Sequence, residues 1–183
     1  MNKKRDNRVF NNTINEAKPD HFSILRAIEL AAFETLRKAG AVTGQAVAHS
    51  LEEFGDFSRD GVLLAAFAAD STPVGFIAAR HENIWLHIAE IDVHPDWQRR
   101  GIGRLLMQTL LVYGQQHGLT GATLTTDNLA AFNAKFYAAL GFEIVEGQSC
   151  PPHLITLKAE EVKMGFNQAR RVAMRLNFKA TTK

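Results

Sequence analysis

Apolar positions along this 183-residue chain change period several times, and each change marks an expected element. A short strand is possible over residues 13–16. After Pro19-Asp20, a helix-start pair, Phe22, Leu25, Ile28, Ala32 and Leu36 recur at helical spacing as far as Ala39-Gly40. A shorter helix is expected over 45–54. Residues 62–67 and 74–79 are continuous apolar runs split by Asp70-Ser71-Thr72-Pro73, the pattern of a hairpin of buried strands. A third strand, Trp85–Val93, follows the polar turn His81-Glu82-Asn83 and makes three successive antiparallel strands at the sheet's centre.

Helical spacing returns over 100–117, where Ile102, Leu105, Leu106, Leu110 and Tyr113 share a face and Gly118 provides a stop. A strand at 122–126, a helix at 132–140 and a strand at 142–145 beyond Gly141 come next. Pro151-Pro152 breaks the chain before a helix at 153–165. Residues 171–178 then alternate with period two, which turns Val172, Met174, Leu176 and Phe178 inward. Strands first, then strands alternating with helices, predict an α+β or mixed α/β domain. It would span 13–178, between a poorly ordered polar segment, 1–12, and a short tail, 179–183.

Composition narrows the class little. Hydrophobic residues at 46% and charged residues at 22% are those of a globular chain, and a net charge of +2 does not suggest a general nucleic-acid binder, so no nucleic-acid partner is expected, a role through Arg99, Arg100 and Arg104 being the weaker rival. One cysteine, Cys150, excludes an internal disulfide. No apolar run has signal-peptide or membrane-spanning length, so the expectation is a cytoplasmic protein without a membrane partner.

The chemistry gathers where the third strand ends. Val93-His94-Pro95 leads into Gln98-Arg99-Arg100-Gly101-Ile102-Gly103-Arg104, which reads as strand, glycine-rich loop and helix start. Free amides at a helix start carry partial positive charge, glycines let an anion approach the backbone, and three arginines add full charges. A phosphate or pyrophosphate fits such a cradle. No Gly-Lys-Ser/Thr follows, and the third glycine of a dinucleotide fingerprint is missing. Gln98-x-x-Gly101-x-Gly103 after this strand resembles the acetyl-CoA pyrophosphate loop of the GNAT (Gcn5-related) N-acetyltransferases. Asn133-Ala134-Lys135-Phe136-Tyr137-Ala138-Ala139-Leu140-Gly141-Phe142 is similar to the helix that follows later in that family.

The resemblance implies a GNAT fold: a mixed, mostly antiparallel sheet of six to seven strands with splayed central strands and flanking helices. It also implies acetyl-CoA as the acyl donor, no metal, and a possible homodimer. Backbone near Ile91, Asp92 and Val93 would pair with the pantetheine arm, Asn133 would hydrogen-bond it, and Gln98 to Arg104 would hold the pyrophosphate. Tyr137 would be the acid for the departing thiolate. The run Trp85–Val93 carries His87, Glu90 and Asp92 among apolar residues, where an unused charge is costly. Strict alternation sets Glu90 and Asp92 opposite His87, whereas a β-bulge, as in family members, would change that parity. Glu90 is the first candidate for base or amine binder and His87 the second; an ion pair of Glu90 with Arg80, or Asp92 capping the turn, are the structural alternatives. Phe33, His49 and Phe54 border the acceptor cleft by resemblance, with ordinary packing the alternative for each. The expected reaction is direct acetyl transfer to a primary amine of a small molecule. The alternatives are a peptide N-terminus or lysine as acceptor, and a CoA-sensing protein without turnover.

Overall fold

The computed structural model describes residues 10–38, 45–129, 133–164 and 166–179. Among these, strands β1 (Phe10–Glu16), β2 (Gly61–Ala68), β3 (Pro73–Glu82), β4 (Trp85–Val93), β5 (Gly121–Asp127), β6 (Glu143–Val145) and β7 (Arg171–Asn177) make one open sheet, ordered β1-β2-β3-β4-β5-β7-β6. Helices α1 (Phe22–Lys38), α2 (Leu51–Asp60), α3 (Ile102–Gln116), α4 (Asn133–Ala138) and α5 (Pro152–Lys163) flank it.

The continuous apolar runs of β2 and β3 are explained by two cores. Leu64, Ala66, Ile77 and Ala79 pack with Ile102, Leu106, Met107 and Leu110 of α3 on one face. Leu63, Ala65, Phe76 and Ala78 pack with Phe22, Leu25, Phe54 and Phe57 of α1 and α2 on the other. Strands covered on both faces lose the alternating pattern. Each fully buried side chain of this size contributes about 1.5–3 kcal/mol relative to exposure.

β1 to β4 form an antiparallel meander, but β4 meets β5 in parallel over only Trp85↔Gly121, Leu86↔Ala122 and His87↔Thr123. Beyond that point β5 gives its other edge to β7 along its whole length. The two central strands therefore part, leaving a V-shaped opening between 88–93 and 124–127.

Several elements differ from the sequence expectation. β1 begins at Phe10, inside the segment read as poorly ordered, because its backbone pairs with β2 from Phe10↔Ala68 onward and needs no apolar signal. Residues 1–9 of that segment lie outside the described residues, as do 39–40, 130–132 and 180–183. The second helix starts at Leu51, not Gln45: Ser50 accepts the Glu53 amide while the Glu53 carboxylate accepts the Ser50 amide. In β7 the alternation holds, with Met174 in the α3-side core, yet Ala173 is also buried, against Val145 and Leu154 on the opposite face.

Gly121 sits where β4, β5 and β7 meet. A Cβ there would collide with the Leu176 carbonyl oxygen and come within 2.7 Å of the Trp85 ring. Gly121→Ala is expected to destabilise the fold by about 2–3 kcal/mol, lowering the melting temperature by about 5–10 °C in a circular-dichroism melt. An unchanged melt would mean that the strands close without this contact.

Candidate active site

The β4 ladder contains the bulge. Ala78 pairs with Glu90 but Ala79 pairs with Ile88, leaving Ala89 without a partner on β3. Before the bulge His87 faces Arg80, which lies over the Phe57 ring; after it Glu90 and Asp92 face Ala78 and Phe76. Strict alternation is thus corrected: His87, Glu90 and Asp92 share the face covered by α1 and α2, while Ile91 and Val93 turn toward α3. Arg80 stacks on Phe57 instead of pairing with Glu90, and the turn after β4 is capped by the His94 ring accepting the Asp96 amide, not by Asp92.

Burial gives these groups different protonation behaviour. The Glu90 carboxyl is pushed up to about 7, chiefly by desolvation and then by the Glu29 carboxylate, while His49 draws it back. Asp92 is held well above its ordinary range by desolvation, with Glu90 and Glu29 adding repulsion. His87, 4% exposed, is pushed down to about 4 by desolvation and by His153 beside it. Its Nδ1 lies 3.1 Å from the Thr123 hydroxyl, which lies 2.9 Å from Nε2 of His153 on α5.

Across the opening, Tyr137 packs edge-on against Phe136 and Phe142, its ring centroid 5.2 and 6.0 Å from theirs. Its phenol is pushed upward by desolvation and by the charges of Glu90 and Asp92, which places it within electrostatic reach of both. The side chain of Asn133 lies outside the described residues.

The loop after β4 is built by backbone strain and short contacts. Pro95–Trp97 form a 3-10 turn with Trp97 buried, and the Gln98 side-chain amide donates to the Val93 carbonyl at 3.0 Å. Arg99 and Gly101 take left-handed φ values of 62° and 81°. Only glycine adopts the second without cost, and nothing within 4 Å would meet a Cβ there. The Leu105 amide bonds to the Gly101 carbonyl at 3.0 Å, so the amides of Ile102, Gly103 and Arg104 precede the first helical bond of α3. Arg99, Arg100 and Arg104 are exposed; Arg100 donates to the Asp96 carbonyl and lies over Trp97. Free amides, an open glycine face and arginines fit a pyrophosphate. The β4 edge fits an extended amide chain, although Gln98 already engages one of its carbonyls.

Two further groups come to the cleft that sequence reasoning did not single out. Glu29 on α1, 6% exposed, bonds His49, and Arg171 of β7 forms a two-pronged ion pair with Glu161 of α5 that also takes in Thr125. Glu29 was detectable as a carboxylate set against the stripe Leu25, Ile28 and Ala32. Of the three cleft candidates between β1 and β2, His49, in the segment before α2, lies near Glu90, Phe54 is core packing between Phe22 and Phe76, and Phe33 is half-buried.

A split between parallel strands, flanked by a glycine-rich helix start, is the architecture of a CoA-type acyltransferase. The chain belongs to the acetyltransferase (GNAT) family, which it matches over residues 26–142. Among solved structures it is similar to the ribosomal-protein-S18-alanine N-acetyltransferase from Escherichia coli, at 17% identity and a TM-score of 0.67, covering 93% of this chain and 96% of that one. It is also similar to the PaiA N-acetyltransferase from Thermoplasma acidophilum in complex with coenzyme A, at 16% identity and a TM-score of 0.64, covering 91% of this chain and 98% of that one. N-acetylglutamate synthase from Neisseria gonorrhoeae, complexed with coenzyme A and N-acetyl-glutamate, matches at 16% identity and a TM-score of 0.68, covering 91% of this chain and 35% of that one.

The shifted groups make opposite contributions to stability against pH. His87 stays neutral in the fold to about pH 4, while the unfolded chain takes up its proton from about 6.5 downward, so stability is lost as pH falls across that window. Two and a half pKa units correspond to about 3 kcal/mol. Glu90 has the reverse sign: the fold retains up to about pH 7 a proton that the unfolded chain releases near 4.5, so its contribution is full at low pH and lost as pH rises. Glu90→Gln is therefore expected to make stability climb more steeply between pH 4.5 and 6.5, read from urea midpoints. Equal slopes in both proteins would show that Glu90 titrates alike folded and unfolded.

Proposed function

We propose that the protein is an acetyl-CoA-dependent N-acetyltransferase that moves the acetyl group directly to a primary amine of a small molecule. The observation that carries this reading is the parting of β4 from β5 after His87↔Thr123, directly before the unbonded amides that open α3. The cofactor would supply the electrophilic thioester carbonyl and the thiolate leaving group.

The residues present suit its parts in order. The amides of Ile102, Gly103 and Arg104, with Arg99, Arg100 and the Gln98-stapled loop, would hold the pyrophosphate. The β4 edge from Ile91 through Asp92 to Val93 would align the pantetheine arm and direct backbone donors at the acyl oxygen. Glu90 takes a proton from the acceptor ammonium. An alkylammonium has a pKa near roughly 10, and a carboxylate titrating near neutrality is a far better acceptor than an ordinary one. His87 is the weaker base, since its ring is buried and titrates at about 4.

Tyr137 retains its proton at neutral pH and offers it to the departing sulfur. A negative Glu90 opposes loss of that proton; once Glu90 has received the amine's proton, the opposition is removed. The base thus acts before the acid. The acceptor side is flanked by the 45–50 segment pinned to Glu29 and by α5 through His153 and Thr123, which favours a compact amine. A peptide N-terminus is the second reading, favoured by the fold neighbour that acts on a ribosomal-protein alanine.

Two measurements check this. Acetyl-CoA at a hundredfold its Kd should add roughly 2.7 kcal/mol, a rise of about 5–10 °C in the melt, and Gly101→Glu should abolish the rise while still folding. In a thiol-release screen of free amines and alanine-ended peptides, Glu90→Gln and Tyr137→Phe are each expected to lower kcat by about 10²–10⁴ with the KM for acetyl-CoA little changed. A wild-type melt indifferent to acetyl-CoA, or both variants fully active, would overturn the reading.

A further inference from the structure

Glu29 lies on the face of α1 that turns toward the core, and a carboxylate there is costly unless its oxygens are matched. Both of its oxygens go to one residue. Oε1 lies 2.8 Å from Nδ1 of His49, and Oε2 accepts the backbone N–H of His49 at 3.1 Å. One bond fixes the backbone and the other fixes the ring, so the imidazole has a single orientation. Phe54 and Phe57 hold it from the sides, with ring centroids 5.8 and 5.3 Å away. One polar atom each of Glu29, His49 and Glu90 lie within 4.8 Å of one another. Helix α2 does not need this arrangement, because Ser50 and Glu53 already cap it.

We propose that Glu29 and His49 form a proton relay behind Glu90, draining to solvent the proton that Glu90 draws from the acceptor amine. The inference rests on the reading of Glu90 as the base. The ammonium N–H bond breaks, its electron pair stays on the nitrogen that attacks, and an O–H bond forms on Glu90. Glu90 and His49 share no direct hydrogen bond, their polar atoms lying within 4.8 Å of one another, so once Tyr137 has given its proton to the sulfur the proton on Glu90 passes through one solvent molecule to the imidazole of His49, which restores the Glu90 carboxylate. The His49 side chain keeps 23% of its surface in water and releases the proton there. Glu29 stays ion-paired with the imidazolium throughout and is a positioning residue.

His49 is raised above its ordinary range, first by its hydrogen bond to Glu29, with Glu90 and Glu53 acting in the same sense and desolvation against them. The charged and titratable groups facing the trio are Glu53 from α2, Arg80 from β3, Asp92 from β4, Tyr137 from α4 and Arg171 from β7.

The test begins without cofactor or acceptor: NMR titration of 15N-histidine-labelled protein from pH 5 to 9. The His49 midpoint should lie above the ordinary histidine value in wild type and fall by about one unit in Glu29→Gln. It should also fall in Glu90→Gln, while exposed His117 stays unchanged in both. A His49 midpoint at the ordinary value and indifferent to both substitutions overturns the relay. In the acetyl-transfer assay, His49→Ala should lose about tenfold or more in kcat at pH 7 with the KM for acetyl-CoA unchanged, and imidazole in the buffer should restore it. If Glu90→Gln is inactive while His49→Ala keeps the wild-type rate and pH profile, the relay alone falls. If Glu90→Gln is fully active, the base assignment falls and the relay with it. Should Glu29→Gln fail to fold, imidazole rescue and the Glu90→Gln titration decide the matter.

Discussion

The structure depends on a competition for the edges of β5. A strand has two edges, and β5 pairs with β7 from Gly121↔Asn177 to Asp127↔Arg171 but with β4 only as far as Thr123. Past that point this edge of β4 has no strand neighbour in the middle of a sheet, and side chains take two of its groups: Glu90 accepts the Ile91 amide and Gln98 donates to the Val93 carbonyl. An extended ligand with its own amides is the natural partner for such an edge. The loop after β4 completes the same site, because the strand that loses its neighbour also delivers its chain directly to the amides that open α3.

The bulge at Ala89 does for side chains what the parting does for backbone. One extra residue turns Glu90 and Asp92 onto the face that already carries His87. Three titratable groups would be untenable on a dry face, and each is accommodated differently. His87 is kept neutral within a hydroxyl-bridged pair with His153, Asp92 is driven toward its protonated form, and Glu90 is poised near neutrality between Glu29 and His49. Desolvation raises the carboxyls and lowers the imidazole, so one environment leaves Glu90 titrating near neutrality and His87 uncharged on the same strand.

What the sequence made legible follows from how local each signal is. β2 and β3 were readable because strands buried on both faces are apolar throughout, and the turn into α3 because Gly101 takes a left-handed φ that favours glycine. Tyr137 stood out as an aromatic ring off its helix stripe. The bulge had no signal of its own in Ala89-Glu90, since parity is set by register with β3. β1 could not be traced to Phe10 because Asn11 and Asn12 carry no apolar signal and the register with β2 shifts between Phe10 and Thr13. α2 was misplaced because its apolar positions are few, although Ser50-Leu51-Glu52-Glu53 spells out a capping box. The ion pair of Glu161 with Arg171 joins a helix to a strand, and no periodicity reports it.

The two arms of the opening differ in a way that orders the chemistry. The β4 arm carries Glu90 and Asp92, whose net charge changes by one when a proton arrives, whereas on the β5 side the Asp127 carboxylate is paired with Arg170, the Arg171 guanidinium is matched by Glu161, and Thr123 and His153 are uncharged. Only one arm can therefore change its field during turnover. Tyr137 faces that field, and its willingness to give up a proton follows the charge on Glu90. In the mechanism we propose, coupling base and acid through space, without a shared hydrogen bond, would keep the phenol protonated until the amine has lost its proton. The leaving sulfur would then be served only after a nucleophile exists, which is the sequence a direct transfer needs to avoid losing the acyl group to water.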